Sequence, residues 1–116
     1  MNKVKQLNSV DEWNKALELS DEQPVFIFKH STRCPVSADA YDQYGAYLNR
    51  SANEDVAYFL VLVVEYRPVS NAIAESLELK HESPQAILIH KRKPVWHTSH
   101  WRITESNLKD NLARSV

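Results

Sequence analysis

Val25-Phe26-Ile27-Phe28-Lys29-His30-Ser31-Thr32-Arg33-Cys34-Pro35-Val36-Ser37 decides the reading of this chain. Its first four residues are β-branched or aromatic and uninterrupted by polar groups, as in a strand covered on both faces. A polar loop follows and ends in Pro35. Proline suits the first turn of a helix, where its missing N–H would have no partner, so Cys34 falls where a helix begins. Beyond it Ala40, Tyr41, Tyr44, Tyr47 and Leu48 recur at intervals of three and four, which predicts an amphipathic helix ending near Asn49. Gly45, the only glycine, lies inside that helix.

Working outward from this strand-loop-helix unit, Ser9 with Glu12 has capping-box spacing, and Val10, Trp13 and Leu17 share one face of a helix over 10–19. Val56 to Val64 is almost wholly apolar and reads as a second buried strand. Val69 to Leu79 predicts a third helix with Ser70 as its cap. Ser83-Pro84 then precedes Gln85 to His90, and Lys91-Arg92-Lys93, a solvated turn, joins that strand to Pro94-Val95-Trp96-His97-Thr98 as a hairpin. Thr104 caps a closing helix through Leu108 and Leu112, with Glu105 in its first turn. The order αβαβαββα, with a cysteine after the first strand and a proline before the hairpin, is the thioredoxin arrangement. The expected architecture is a single α/β domain over 1–116, three-layered, with a mixed central sheet of about four strands flanked by helices.

Composition excludes several classes of function. The 116 residues are 43% hydrophobic and 25% charged, which is enough to bury a core without staples. Fourteen basic and fifteen acidic residues nearly cancel, so neither nucleic acid nor an anionic membrane is an expected partner. No signal peptide and no membrane-spanning run is read, and a cytoplasmic monomer is expected. His97 and His100 are spaced as metal ligands can be, but one cysteine and scattered histidines make a poor zinc signature, and no metal site is assigned. Trp13, Trp96 and Trp101 read as core or groove-lining aromatics.

The chemistry therefore centres on Cys34. A thiolate is the nucleophile in disulfide exchange, and a helix N-terminus favours it through free N–H groups and the dipole. Lys29, His30 and Arg33 stand close in sequence, and any that faces the sulfur would favour the thiolate further. Cys34-Pro35-Val36-Ser37 has the spacing of a C-x-x-C motif with serine in place of the second cysteine. A dithiol enzyme releases its mixed disulfide with that second thiol. Here the mixed disulfide has to be resolved by an external thiol, which suits removal of a small thiol from a modified protein. Ser37 reads either as a hydrogen-bond donor toward the Cys34 sulfur or as a helix-surface serine. Ser83-Pro84 reads either as a cis-proline shaping a groove opposite the cysteine or as a trans proline opening an edge strand.

Phe28 to Ser37 taken together resembles the YtxJ-type proteins of the bacillithiol system, the monothiol bacilliredoxins. The resemblance extends over nearly the whole chain, through the Trp13 helix, Tyr66-Arg67-Pro68-Val69-Ser70, Glu82-Ser83-Pro84-Gln85 and Trp96-His97. It implies a thioredoxin fold, with Cys34 as the attacking thiol that takes bacillithiol from protein mixed disulfides. It maps the family's active-site loop onto Thr32, Arg33, Cys34 and Pro35 and its cis-proline onto Pro84. Thr32, Arg33, Pro35, Ser37, Ser83 and Pro84 are then the substrate-binding residues. Bacillithiol is a co-substrate and no cofactor is bound; the partners are bacillithiol and bacillithiolated proteins. The rival reading is a noncatalytic thioredoxin-fold module for protein interaction or redox sensing. A peroxidase ranks low, because residues other than proline precede Ser31-x-x-Cys34, and an iron-sulfur cluster ligated by Cys34 in a dimer is a further alternative.

Overall fold

In the computed structural model, which describes residues 4–113, the elements run β1 (Val4–Gln6), α1 (Val10–Leu19), β2 (Val25–His30), α2 (Pro35–Ser51), β3 (Ala57–Leu62), α3 (Arg67–Leu77), β4 (Gln85–His90), β5 (Lys93–Ser99) and α4 (Glu105–Leu112), with a single 3-10 turn over His100–Arg102 between the last two. One sheet has the order β1-β3-β2-β4-β5. β1 and β2 lie parallel to β3, whereas β4 lies antiparallel to β2 and β5 antiparallel to β4. The mixed three-layer architecture is the expected one, with five strands where four were read.

The additional strand, β1, is only three residues long and half-exposed. It is held by its pairing with β3 and by the Leu7 N–H donating to the Leu60 carbonyl at 2.9 Å. β2 is the centre of the sheet and all six of its residues are buried. Side chains alternate across a strand, so Val25 and Ile27 pack with Trp13, Ile73, Ile87 and Ile89 under α1 and α3. Phe26 and Phe28 pack on the other face with Tyr44, Tyr47, Leu88, Ile103, Leu108 and Leu112 under α2 and α4. This alternation places Lys29 on the α1/α3 side and His30 on the α2/α4 side.

Caps at Ser9 and Thr104 form as read, accepting the N–H groups of Glu12 and Asn107. Ser70 does not cap α3: that helix opens two residues earlier with Pro68 in its first turn, and Ser70 is buried inside it. The hairpin turn consists of Lys91 and Arg92 alone, at φ 52° and 67°, with Lys93 already paired in β5. A two-residue turn needs left-handed backbone at both positions. Without glycine it is pinned from outside: the Lys91 and Arg92 N–H groups donate to the Ser20 carbonyl and hydroxyl at 2.7 and 3.0 Å, and Arg92 pairs with Asp21.

Candidate thiol site

Cys34 is the N-cap of α2 in extended backbone, with Pro35 opening the helix. Its N–H donates to the Ser31 carbonyl at 3.3 Å and its carbonyl accepts from Ala38 at 2.9 Å, so the loop of residues 31–34 is closed on itself before the helix starts. The thiol is free and half-buried. The first N–H groups of α2 have no partner within the helix and present the positive end of its dipole at this point. Thr32 is exposed, and its hydroxyl donates to Glu65 Oε2 at 3.3 Å, tying the loop to the segment after β3. Arg33 and Pro35 are exposed on either side of the thiol.

Ser37 is neither a donor toward Cys34 nor a surface serine. It is fully buried, its Oγ accepts the Ser31 N–H at 2.9 Å, and it lies 2.7 Å from His30 Nδ1. The hydroxyl can donate to Nδ1 of a neutral ring protonated at Nε2, or accept from a protonated Nδ1 with its second lone pair. Burial lowers the His30 pKa, against a smaller raising effect of Glu65. The ring belongs to a three-ring cluster, stacked on Tyr41 at 4.7 Å between centroids and on Phe28 at 5.8 Å, with Phe28 and Tyr41 themselves 6.2 Å apart. The position of a resolving thiol is thus filled by a hydroxyl already committed to backbone and imidazole.

Lys29 does not face the thiol either. It is completely buried on the α1/α3 side, where its ammonium donates to the Ser70 carbonyl at 3.1 Å and lies 3.2 Å from His81 Nδ1. Burial lowers its pKa to about 8. The His81 pKa is lowered by burial first and then by the charges of Lys29 and Arg67. Ser70 Oγ also lies 3.2 Å from His81 Nδ1, so one ring ties β2, α3 and the segment leading to Pro84 together. The only sign of this cluster in the sequence is the lysine interrupting an apolar strand.

The Ser83–Pro84 peptide is cis. β4 pairs with β2 such that Gln85 stands opposite Lys29, which brings Pro84 to the end of β2 from which the Cys34 loop departs. Pro84 is buried, and among the described residues the Ser83 hydroxyl is one of two buried side-chain oxygens without a hydrogen-bond partner. No group of three or more side chains able to ligate a metal occurs among the described residues. No helix described is long and apolar enough to cross a membrane.

A helix-capping cysteine after the central strand of this sheet, beside a proline loop at the head of β4, defines a thiol-disulfide oxidoreductase of the thioredoxin fold. The profile of the family described as monothiol bacilliredoxin BrxC matches residues 5–108, and the chain belongs to that family. Among solved structures it is similar to a protein described as a candidate oxidoreductase with a thioredoxin fold, at 34% identity and a TM-score of 0.79, covering 92% of this chain and 91% of the other. The thioredoxins of Malassezia sympodialis and Fasciola hepatica superpose with TM-scores of 0.78 and 0.75, each at 13% identity. The first covers 98% of this chain and 91% of its own, the second 97% and 100%, and at that identity they speak for the fold alone.

Proposed function

We propose that this protein removes bacillithiol from protein mixed disulfides through Cys34. The observation that carries the proposal is Ser37, buried at the place where a second thiol would complete the motif and bonded to Ser31 and His30. Exchange then takes two bimolecular steps. The Cys34 thiolate attacks the bacillithiol sulfur of the modified protein; an S–S bond forms between Cys34 and bacillithiol, and the target leaves as its thiolate. A second bacillithiol thiolate attacks the sulfur of bacillithiol held on Cys34, releasing the symmetrical disulfide and regenerating the Cys34 thiolate.

Thr32, Arg33 and Pro35 shape the approach to the sulfur, and the backbone of Ser83 and Pro84 forms the opposite wall for the incoming disulfide. Bacillithiol is a co-substrate and no resident cofactor takes part; the protein works as a cytoplasmic monomer. The family assignment and the lone cysteine support this reading. Intact mass spectrometry of wild type and Cys34→Ala after incubation with a bacillithiol-modified protein tests it. Wild type is expected to gain one bacillithiol as the target is released in reduced form, and the variant to gain none. A folded wild type with an alkylatable thiol that takes no bacillithiol would turn the reading to the noncatalytic interaction module.

A further inference from the structure

Ser31 is gripped on both sides. Its carbonyl accepts the Cys34 N–H at 3.3 Å and its N–H donates to Ser37 Oγ at 2.9 Å, so the loop that carries the thiol is closed once through the main chain and once through a side chain of the first turn of α2. The second closure depends on how the Ser37 hydroxyl is turned. A serine in a helical turn has competing partners in the carbonyls three and four residues back, which here belong to Cys34 and Arg33. A hydroxyl drawn to either would turn away from the Ser31 N–H. What opposes that rotation is His30, whose Nδ1 lies 2.7 Å from Ser37 Oγ. Whichever of the two atoms donates, the bond holds Oγ in place.

His30 is itself held on every side. It ends β2 in register with Leu62 of β3, and its carbonyl accepts the Val63 N–H at 3.0 Å, so its backbone is part of the sheet. The residue is 8% exposed, and its ring is packed against Phe28 and Tyr41. A ring locked by packing offers Nδ1 at a fixed place, which is how a supporting side chain fixes one nearer the chemistry. The loop has one other side-chain tie, the Thr32 hydroxyl donating to Glu65 at 3.3 Å, but both of those partners are exposed and water competes for them. The buried tie through Ser37 is the stronger of the two.

We propose that His30 is a positioning residue of the thiol site: by fixing the Ser37 hydroxyl it keeps Ser31, and with it Cys34, in the geometry from which the sulfur attacks. The proposal rests on the exchange reading above and adds to it a residue that acts through another. Exchange is sensitive to such support, because the attacking sulfur has to meet the disulfide in a narrow range of distance and direction, and a small displacement of the loop slows the step.

The rate at which Cys34 takes bacillithiol from a modified protein is timed by intact mass in wild type, His30→Phe, Ser37→Ala, the double variant of those two, and His30→Asn, each first shown to unfold cooperatively on heating. Phenylalanine keeps the ring packing and removes Nδ1. Asparagine loses the packing and puts an amide, able to donate or accept, where Nδ1 was. His30→Phe is expected to be slower than wild type by about five- to tenfold, the scale of one hydrogen bond. The double variant should be no slower than Ser37→Ala, and His30→Asn should recover most of the rate. A fast His30→Phe beside a slow His30→Asn would assign the histidine to packing and overturn the proposal. Losses that multiply in the double variant would also overturn it, because His30 would then act independently of Ser37. Equal rates in all five proteins overturn it and leave the exchange reading standing, whereas a wild type that takes no bacillithiol overturns both. Should His30→Phe fail to fold, His30→Asn against His30→Gln decides, since glutamine carries its amide out to the place of Nε2: asparagine is expected to be the faster by the same factor, and equal rates overturn the proposal.

Discussion

Replacing Lys29 by methionine should stabilise the protein at neutral pH, by an amount that disappears on going alkaline. The ammonium is fully buried on the central strand and titrates near 8 where an exposed lysine has 10.5. At about 1.36 kcal/mol per pH unit, holding it charged in the folded state costs about 3 kcal/mol. Little is lost against that gain. The Ser70 carbonyl keeps its helical bond inside α3, and His81 Nδ1 keeps the Ser70 hydroxyl at 3.2 Å. Methionine is similar in length and flexible enough to fill the space. At pH 7 lysine is charged in both states, so the whole cost is present. Between about 8 and 10.5 the folded chain gives up this proton before the unfolded one, and wild-type stability rises with pH.

Urea unfolding of both proteins at pH 7 and pH 10, at fixed ionic strength, reads the difference directly. The Lys29→Met advantage should be about 3 kcal/mol at pH 7 and under about 1 kcal/mol at pH 10, with equal m-values. Because it is a difference between two proteins, titrating groups that do not sense the Lys29 charge cancel. Parallel pH profiles would refute the reasoning, and so would a variant less stable than wild type at pH 7, which would mean that the two contacts outweigh the burial of the charge. The His81 resonances give an independent check: with the Lys29 charge removed, its pKa should move back up.

Two further outcomes follow from the groups around the thiol. His30 and His81 both have pKa values lowered by burial, so below about 6.5 the unfolded chain takes up protons that the folded one refuses, and stability should fall between pH 7.5 and pH 5.5; a flat profile in urea unfolding, or an unchanged slope in His30→Gln, would contradict this. Ser37→Cys places a thiol at a fully buried position in the first turn of the helix that Cys34 caps, and should give an intramolecular disulfide on oxidation and new insulin reductase activity, at a stability cost of about 1 kcal/mol for the half-buried Ser31 N–H that loses its acceptor; two persistent free thiols after oxidation would mean that the side chains do not meet.

The elements whose amphipathic or apolar pattern is long were legible in the sequence. α1 spans the residues its capping box and Trp13 face predict, and α4 starts after Thr104 as its capping chemistry requires. β1 was not, because three half-exposed residues carry no periodicity and owe their strand to β3. The start of α3 was misread for a different reason: serine is a common cap, but Pro68 fixed the helix two residues earlier and turned Ser70 inward. Turn geometry was equally hidden. Glu78, Lys91, Arg92 and His100 all take left-handed backbone without a glycine among them, and what holds Lys91 and Arg92 there, Ser20 and Asp21, lies some seventy residues away.

At the site, the sequence singled out the one cysteine and hid what its neighbours do. Proximity along the chain made Lys29, His30 and Arg33 equal candidates for steering the sulfur, but a strand sends consecutive side chains to opposite faces. Lys29 therefore serves the α3 side and the approach to Pro84, whereas His30 turns toward α2 and meets Ser37. The substitution at the second motif position is then more than a missing thiol. A hydroxyl can accept from Ser31 and donate to His30 at once, with short, directional bonds that a sulfur makes only weakly. The serine holds the Cys34 loop in shape through the partners a resolving cysteine would have lacked, and in the exchange proposed above the second thiol comes from solution.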